Sequence, residues 1–474
     1  MIQQMTPEAW FEPLYTAAEM RAAEERYPGY PDTVPELMER AGRAVAEVIL
    51  EDFEDARRIT VVCGPGNNGG DGRVAAGVLE QAGREVRIVE SKPEDEEKDL
   101  GDPELIVDAL FGTGFEGAPR PGAARLIDQM NAAGVDVVAV DVPSGVDAST
   151  GEVAGAVVDA DVTVTFHGEK VGLVVTPGAF SAGEVDVAEI GLEPVETEHA
   201  RVTNEILELV PLRASEDNKY TAGHVLVVGG SPGLTGAPCL TAMAAMRADC
   251  GYVTVAVPGS TLPVFEQRLL EAVKRPLPED DAGRLKPEAG EAVLDLAEKA
   301  HAVALGPGLG RSEGTKELVR ALLAKLELPV VVDADALFEL EPGDWPAPRV
   351  LTPHEGELAR LLGTDSSWVA AHRLAAARRA VERFGCIVVL KGEGSIVAVP
   401  GEGMLVCPGY PSLATAGTGD VLTGIIASFL AKGMEPRLAA AAGVTAQVQA
   451  ALRAPQQAGL VASDVIEALP RVFE

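Results

Sequence analysis

Short Val- and Ile-rich runs alternate along this chain with longer Ala-rich stretches whose apolar residues recur at helical spacing. That alternation predicts parallel strands covered by helices on both faces, an α/β fold. In the first half the predicted strands are ITVVC (59–63), EVRIVE (85–90), LIVDAL (105–110), VDVVAVDV (135–142) and DVTVTF (161–166), with a helix from Gly72 to Gln81 closing at Gly83. The pattern then lapses: Glu193 to His199 is acidic and non-periodic, as suits a linker, and NEILELVPLR opens a second unit. Its predicted strands are HVLVVGG, YVTVAVP, AVALGPG, PVVVDADAL, CIVVLKG and SIVAVPG, and a long helix starts near Asp420. No fixed repeat period relates the halves, so two α/β/α domains are expected, 1–205 and 206–474.

Composition narrows the function classes. A chain of 474 residues exceeds one ordinary core, and 47% hydrophobic content is that of a folded protein. With 73 acidic against 39 basic residues, the formal charge of -34 repels nucleic acid and anionic lipid over the whole surface. Such diffuse acidity resembles halophilic surfaces, although an acidic mesophile has the same look. Five scattered Cys without a C-x-x-C pair argue for a reducing compartment and against a structural metal site. No apolar run reaches membrane-spanning length and the start lacks a signal core, so a cytoplasmic protein is expected. Cys63 reads as a buried strand end in preference to a reactive thiol.

Candidate chemistry in the first half begins at CGPGNNGGDG. Gly64, Gly66 and Gly69 satisfy G-x-G-x-x-G after a strand, and Glu90 falls where a ribose carboxylate is expected. A pyrophosphate turn, however, needs bare backbone N–H groups and gains nothing from Asn67, Asn68 and Asp71. Two further loops, VDALFGTGFEG and VDVPSGVDASTG, follow predicted strands, so Asn68, Asp108, Asp141 and Ser144 are expected to converge at one sheet edge. Their hard oxygens suit an alkali or alkaline-earth cation; each residue alone could equally close a turn.

With LMERAG near the start and TFHGEKVGL near the end, these loops resemble, over residues 14 to 200, the epimerase domain of the NAD(P)H-hydrate repair enzymes, a Rossmann-like fold. The resemblance implies that Asn67, Asn68, Gly69, Gly70, Asp71, Gly112, Thr113, Gly114 and Asp141 hold hydrated NAD(P)H. It also implies that Asn68, Asp108 and Ser144 bind K+. Epimerisation at a hydroxyl-bearing ring carbon needs an acid and a base; Asp141 is one candidate and Lys170 the other, unless Lys170 is a solvated surface residue.

In the second half SLATAGTGDVLTGIIASFL carries small residues and glycines that free backbone N–H groups at a helix start, with Asp420 placed to take a proton from an attacking hydroxyl. This resembles the anion hole and base of the ribokinase-like superfamily, and no G-x-x-x-x-G-K-[ST] is present. NKYTAGHVLVVGGSPGLTGAP, GPGLG, VVVDADAL, LTPHEGELARLLG and VLKGEGS are similar in order and spacing to the NAD(P)H-hydrate dehydratases over 206–474. By that resemblance Ala237, Gly308, His354 and Asp420 contact the hydrate. Lys391, Gly392, Glu393, Gly394, Ser395, Gly417, Thr418 and Gly419 hold ADP or ATP with Mg2+, and Lys219 reaches the phosphates. His354 has a second reading as a helix cap. Tyr410 and Ser412 stand where the family has Asn and Gly, and Ser395 where Thr is commoner. The partners implied are NADHX and NADPHX, with a homo-oligomer expected and neither nucleic acid nor membrane. Two alternatives stay open: a plain small-molecule kinase, and a first half that is a non-catalytic nucleotide- or RNA-binding module.

Overall fold

The computed structural model describes residues 9–91, 98–213 and 221–474. Six strands form the first sheet, in spatial order Glu85–Glu90, Arg58–Cys63, Leu105–Ala109, Asp136–Val140, Val162–Phe166 and Glu184–Ala188, every neighbouring pair parallel. Burial alternates by face, as a doubly covered sheet requires. Val61 and Val107 pack with helices Val34–Asp52 and Asn67–Gln81, whereas Val62 and Ile106 pack with Pro121–Asn131.

The second sheet has eleven strands: Phe11–Leu14, His199–Val202, Leu405–Cys407, Ser395–Ala398, Ile387–Leu390, Arg349–Leu351, Val330–Val332, Ala302–Leu305, His224–Val228, Tyr252–Pro258 and Val273–Leu277. Val225 and Val227 face helices Gly236–Arg247 and Thr418–Ala431, while Leu226 and Val228 face Glu313–Lys325 and Arg373–Phe384. Both domains are therefore three-layer α/β/α units. Among the described residues no helix is long and apolar enough to cross a membrane.

Three expectations are corrected. The strands at 387–390, 395–398 and 405–407 pair antiparallel, because the loop 391–394 is far too short for a parallel crossover. The first helix of the glycine loop starts at Asn67, not Gly72, so the Asn-Asn-Gly-Gly-Asp segment is helical first turn. Glycine makes that possible: a Cβ at Gly69 would fall 1.9 Å from the Gly64 carbonyl oxygen, and one at Gly72 2.5 Å from the Ala109 Cβ. Finally, the second sheet already includes the strand His199–Val202, ahead of NEILELVPLR where the second unit was expected to open, and that strand pairs with the N-terminal strand Phe11–Leu14.

The domains are stitched together at the segment after Lys170. The Tyr15 N–H donates to the Glu169 carbonyl, and the Val171 N–H to that of Tyr15. Val171 and Val175 are buried in the second domain's core.

Candidate active sites

The first cleft, about 600 Å³, opens at the strand ends of the six-stranded sheet and is lined by Asn67, Asn68, Asp71, Gly112, Thr113, Gly114 and Asp141, with Arg21, Glu24 and Met38 from the N-terminal helices. Gly69 and Gly70 are not on its wall; they pack against the Gly64 carbonyl and the Met38 side chain. Glu90 is paired with Arg73 at 2.6 Å and is not presented as a ribose carboxylate. Cys63 is buried at its strand end, where burial pushes its thiol up to about 11, so it is no reactive thiol.

Asn68, Asp108 and Ser144 do converge. The Ser144 hydroxyl and N–H donate to the two Asp108 oxygens (2.7 and 2.8 Å), the Phe111 N–H donates to Ser144 Oγ (2.9 Å), and Asn68 Nδ2 donates to the Phe111 carbonyl (3.0 Å). Asn68 Oδ1 is buried with no hydrogen-bond partner, an acceptor left aimed at a missing donor or cation. Asp108 is fully buried, which pushes its carboxyl up to about 6 in spite of the Ser144 and Leu110 hydrogen bonds.

Asp141 ends its strand at φ 69°, a conformation uncommon for a side-chain-bearing residue, which turns the carboxylate toward the next strand. There Lys170, wholly buried, meets Asp141 Oδ1 at 2.7 Å and donates also to Thr165 Oγ1 and the Phe166 carbonyl, both at 2.8 Å. The surface reading of Lys170 therefore fails. Its three N–H groups are all engaged, which makes it the group that holds Asp141 rather than one that reaches substrate. Across the cleft, burial and then Asp141 and Glu24 push Asp71 up to about 8; burial and then Asp141 raise Glu24. The sequence reading missed Glu24, which lies outside every glycine loop.

The second cleft, about 780 Å³, is lined by His354, Lys391, Gly392, Glu393, Ser395, Tyr410, Thr418 and Gly419 among others. Gly417, at φ 92°, turns the chain into the helix Thr418–Ala431, leaving first-turn N–H groups without helical partners. Gln447 Nε2 donates to the Thr418 carbonyl at 2.5 Å and pins that turn. Gly394 is not on the cleft wall; a Cβ there would lie 3.1 Å from the Val174 carbonyl oxygen, across the domain junction.

Asp420 stands in the same first turn, half-buried. Burial, then Asp333, pushes its carboxyl up to about 7, with Lys391 pulling the other way. Lys391 Nζ donates to Asp333 Oδ1 at 3.0 Å and approaches Glu357 at 4.0 Å, while Thr423 Oγ1 donates to Asp333 Oδ2 at 2.8 Å. Burial alone would lower the Lys391 ammonium; Asp333, Glu357 and Asp420 raise it instead.

Ala237, Gly308, Gly417 and Asp420 are not themselves on that cleft's wall, although Thr418, Gly419 and Leu422, which flank Asp420, are. Thr241 Oγ1 donates to the carbonyls of both Ala237 and Asp420 (3.1 and 3.0 Å), and Ser231 Oγ donates to that of Gly308 (3.0 Å). His354 is a helix cap, its Nδ1 accepting from the Gly356 and Glu357 N–H groups, and it also lines the cleft, where the hydrate reading would place it. Lys219 lies outside the described residues. Asp333, Thr423 and Glu357 went unnamed in the sequence reading, although VVVDADAL contained the first and LTPHEGEL the last.

A glycine-led helix N-terminus beside a hairpin loop, on a doubly covered sheet, marks a domain of ribokinase-like fold, here joined to a second α/β domain with its own polar cleft. Solved relatives agree on the fold: a ribokinase-like superfamily protein from Enterococcus faecalis is 23% identical, covering 59% of this chain and 97% of its own at TM-score 0.51. The ADP/ATP-dependent NAD(P)H-hydrate dehydratase of Bacillus subtilis, crystallised with ATP/Mg2+, is 28% identical, covering 57% of this chain and 96% of its own at TM-score 0.51. The NAD(P)H-hydrate dehydratase family matches residues 225–471, and the YjeF-related protein N-terminus family matches 34–101 and 88–172. Over nearly full length the chain is 39% identical to the bifunctional NAD(P)H-hydrate repair enzyme Nnr of Moorella thermoacetica (97% of this chain, 96% of that one) and 35% identical to that of Escherichia coli (93% and 90%). This chain belongs to the bifunctional NAD(P)H-hydrate repair enzymes.

Proposed function

We propose that the first cleft interconverts the R and S epimers of NADHX and NADPHX, and that the second uses ADP or ATP to dehydrate the S epimer to NAD(P)H. The observation that carries this is Asp420: a carboxyl held near neutrality in a helix first turn, beside the Lys391 to Ser395 loop. Asp420 takes the proton of the ring hydroxyl as its oxygen attacks the terminal phosphoryl group, and the shortened nucleotide leaves. The ring nitrogen lone pair then expels phosphate from carbon, and loss of a proton from the adjacent carbon restores the double bond. First-turn N–H groups and Lys391 stabilise the moving charge. Mg2+ would ride on the nucleotide phosphates, since among the described residues no three His, Cys, Asp or Glu side chains form a cage for it.

In the first cleft the same ring nitrogen expels hydroxide, and water returns on the other face. Asp141, held by Lys170 at 2.7 Å, is the base; Asp71, which keeps its proton to about pH 8, is the acid. The oxygens of Asn68, Asp108, Ser144 and Phe111 fit K+, which would fix a positive charge at the cleft floor. Five buried, unpaired cysteines fit a reducing, cytoplasmic setting, and the charge of -34 fits work at high salt. A homo-oligomer belongs to the same reading and is decided by sedimentation.

The test is to incubate the protein with mixed NADH hydrate epimers and ADP or ATP and follow reduced-nicotinamide absorbance. Full recovery is expected; a halt at the fraction of one epimer removes the epimerase, and a stable phosphorylated product makes the second domain a plain kinase.

A further inference from the structure

We infer that Arg373, at the start of helix Arg373–Phe384, positions the nucleotide loop 391–395 and thereby sets nucleotide affinity; the inference rests on the dehydratase reading above. Its guanidinium is 2% exposed and donates to Glu355 Oε1 at 2.6 Å, to the Gly394 carbonyl at 3.2 Å and to the Leu390 carbonyl at 3.4 Å. Leu390 ends the strand entering the loop and Gly394 closes the loop, so one planar cation bolts both feet of the hairpin. Glu355 is the residue after His354 and lines the same cleft, so the bolt also fixes the loop against the His354 turn. The Lys391 N–H donates to the Pro353 carbonyl at 2.9 Å and closes the same joint from the backbone. Gly392 is shaped to it: a Cβ there would fall 2.6 Å from a guanidinium nitrogen.

Packing alone does not call for a cation here. The helix anchors itself through Leu374, Ala377, Val381 and Phe384, and burying a charge is costly unless it is paired and hydrogen-bonded. A rigid fork that meets one carboxylate and two carbonyls is a task arginine performs and lysine does not. Arg349 provides the internal contrast. It is equally buried and bonds the Leu323 and Leu326 carbonyls at a helix C-terminus, and neither of these partners lines either cleft, whereas Glu355, the partner of Arg373, does.

The test uses the full chain with Arg373→Gln, Arg373→Lys and, for comparison, Arg349→Gln. It measures ADP and ATP affinity by calorimetry, dehydration KM and kcat, epimerisation in the same sample, and thermal midpoint. Losing charged hydrogen bonds of this kind raises the nucleotide Kd and KM about tenfold or more in Arg373→Gln. The epimerisation rate stays within about twofold, the KM for hydrate rises less than that for nucleotide, and Arg373→Lys falls between the parent and Arg373→Gln. Arg349→Gln lowers the midpoint without moving nucleotide Kd. The inference is overturned if folded Arg373→Gln binds nucleotide as the parent does, or if Arg349→Gln weakens nucleotide binding equally. Should Arg373→Gln not fold, Arg373→Lys decides by the same comparison. A parent chain that binds no nucleotide overturns the dehydratase reading itself, which is a separate result.

Discussion

The two clefts place a lysine against a carboxylate in opposite ways. In the first, the buried Lys170 sits directly on the candidate base, Asp141, at 2.7 Å, and the neighbouring Asp71 is left to keep its proton. In the second, Lys391 sits on Asp333 at 3.0 Å, and the candidate base Asp420 is left near neutrality. The difference follows from the chemistry. Epimerisation needs an acid and a base present together, so one carboxyl is paired with a cation while another is raised to keep its proton. Phosphoryl transfer needs a single base that accepts a proton and releases it again, and this is best served by a group near the working pH.

The comparison is broken most severely by removing each base. Asp420→Asn should lower nucleotide-dependent dehydration by roughly a thousandfold, within the range for general acid–base groups, and leave epimerisation unchanged. Asp141→Asn should do the reverse: dehydration of pure S hydrate persists while recovery of the R epimer stops. Both are read from the amplitude and rate of absorbance return. If Asp420→Asn retains full dehydration, the role given to the second cleft is wrong.

Next in size is Lys170→Met. Removing one member of a buried pair leaves Asp141 without its partner, at a cost of about 3 kcal/mol or more. Urea unfolding should show that loss, against a smaller one for Lys391→Met, whose side chain is 20% exposed where that of Lys170 is fully buried. Equal losses would mean that the two lysines do not differ in kind.

These side chains also mark how far the sequence could be read. The converging loops were legible because parallel strands deliver their following loops to one edge, and Asn68, Asp108 and Ser144 meet there. Asp420 was legible from its small-residue surroundings. Lys170 was not decided, because nothing local distinguishes a solvated lysine from one drawn inward by Asp141, some thirty residues earlier. Asp333 was hidden for a similar reason: its role depends on Lys391 and Thr423, on other elements. The strand His199–Val202 escaped notice because His and Arg interrupt so short a run, and its partner at 11–14 lies nearly two hundred residues away.

A smaller effect is the pH response. Asp420 ionises near 3.8 in the unfolded chain and near 7 in the folded one, so the folded protein binds the extra proton between these values. Its contribution to stability is therefore complete below about pH 4 and is lost as pH rises through 7, while dehydration, which needs the ionised form, should rise about tenfold per pH unit and level off above 7. Lys391→Met removes a cation that lowers this carboxyl, and should move the plateau to higher pH. A dehydration profile flat from pH 5 to 8 would contradict the poised-base assignment.

The smallest expected effect separates the two readings of His354. Its Nδ1 caps the helix Glu355–Leu362, and its own N–H donates to Glu357 Oε2, a reciprocal box that His354→Ala breaks at a cost of about 1 kcal/mol. The ring is also 57% exposed, toward the cleft. Asn is among the best residues at a helix N-cap, so His354→Asn should restore the stability lost in alanine. If capping is the whole of its role, asparagine restores dehydration too. If the imidazole touches the hydrate, as the second cleft's geometry leads us to expect, stability returns and the KM for hydrate stays raised.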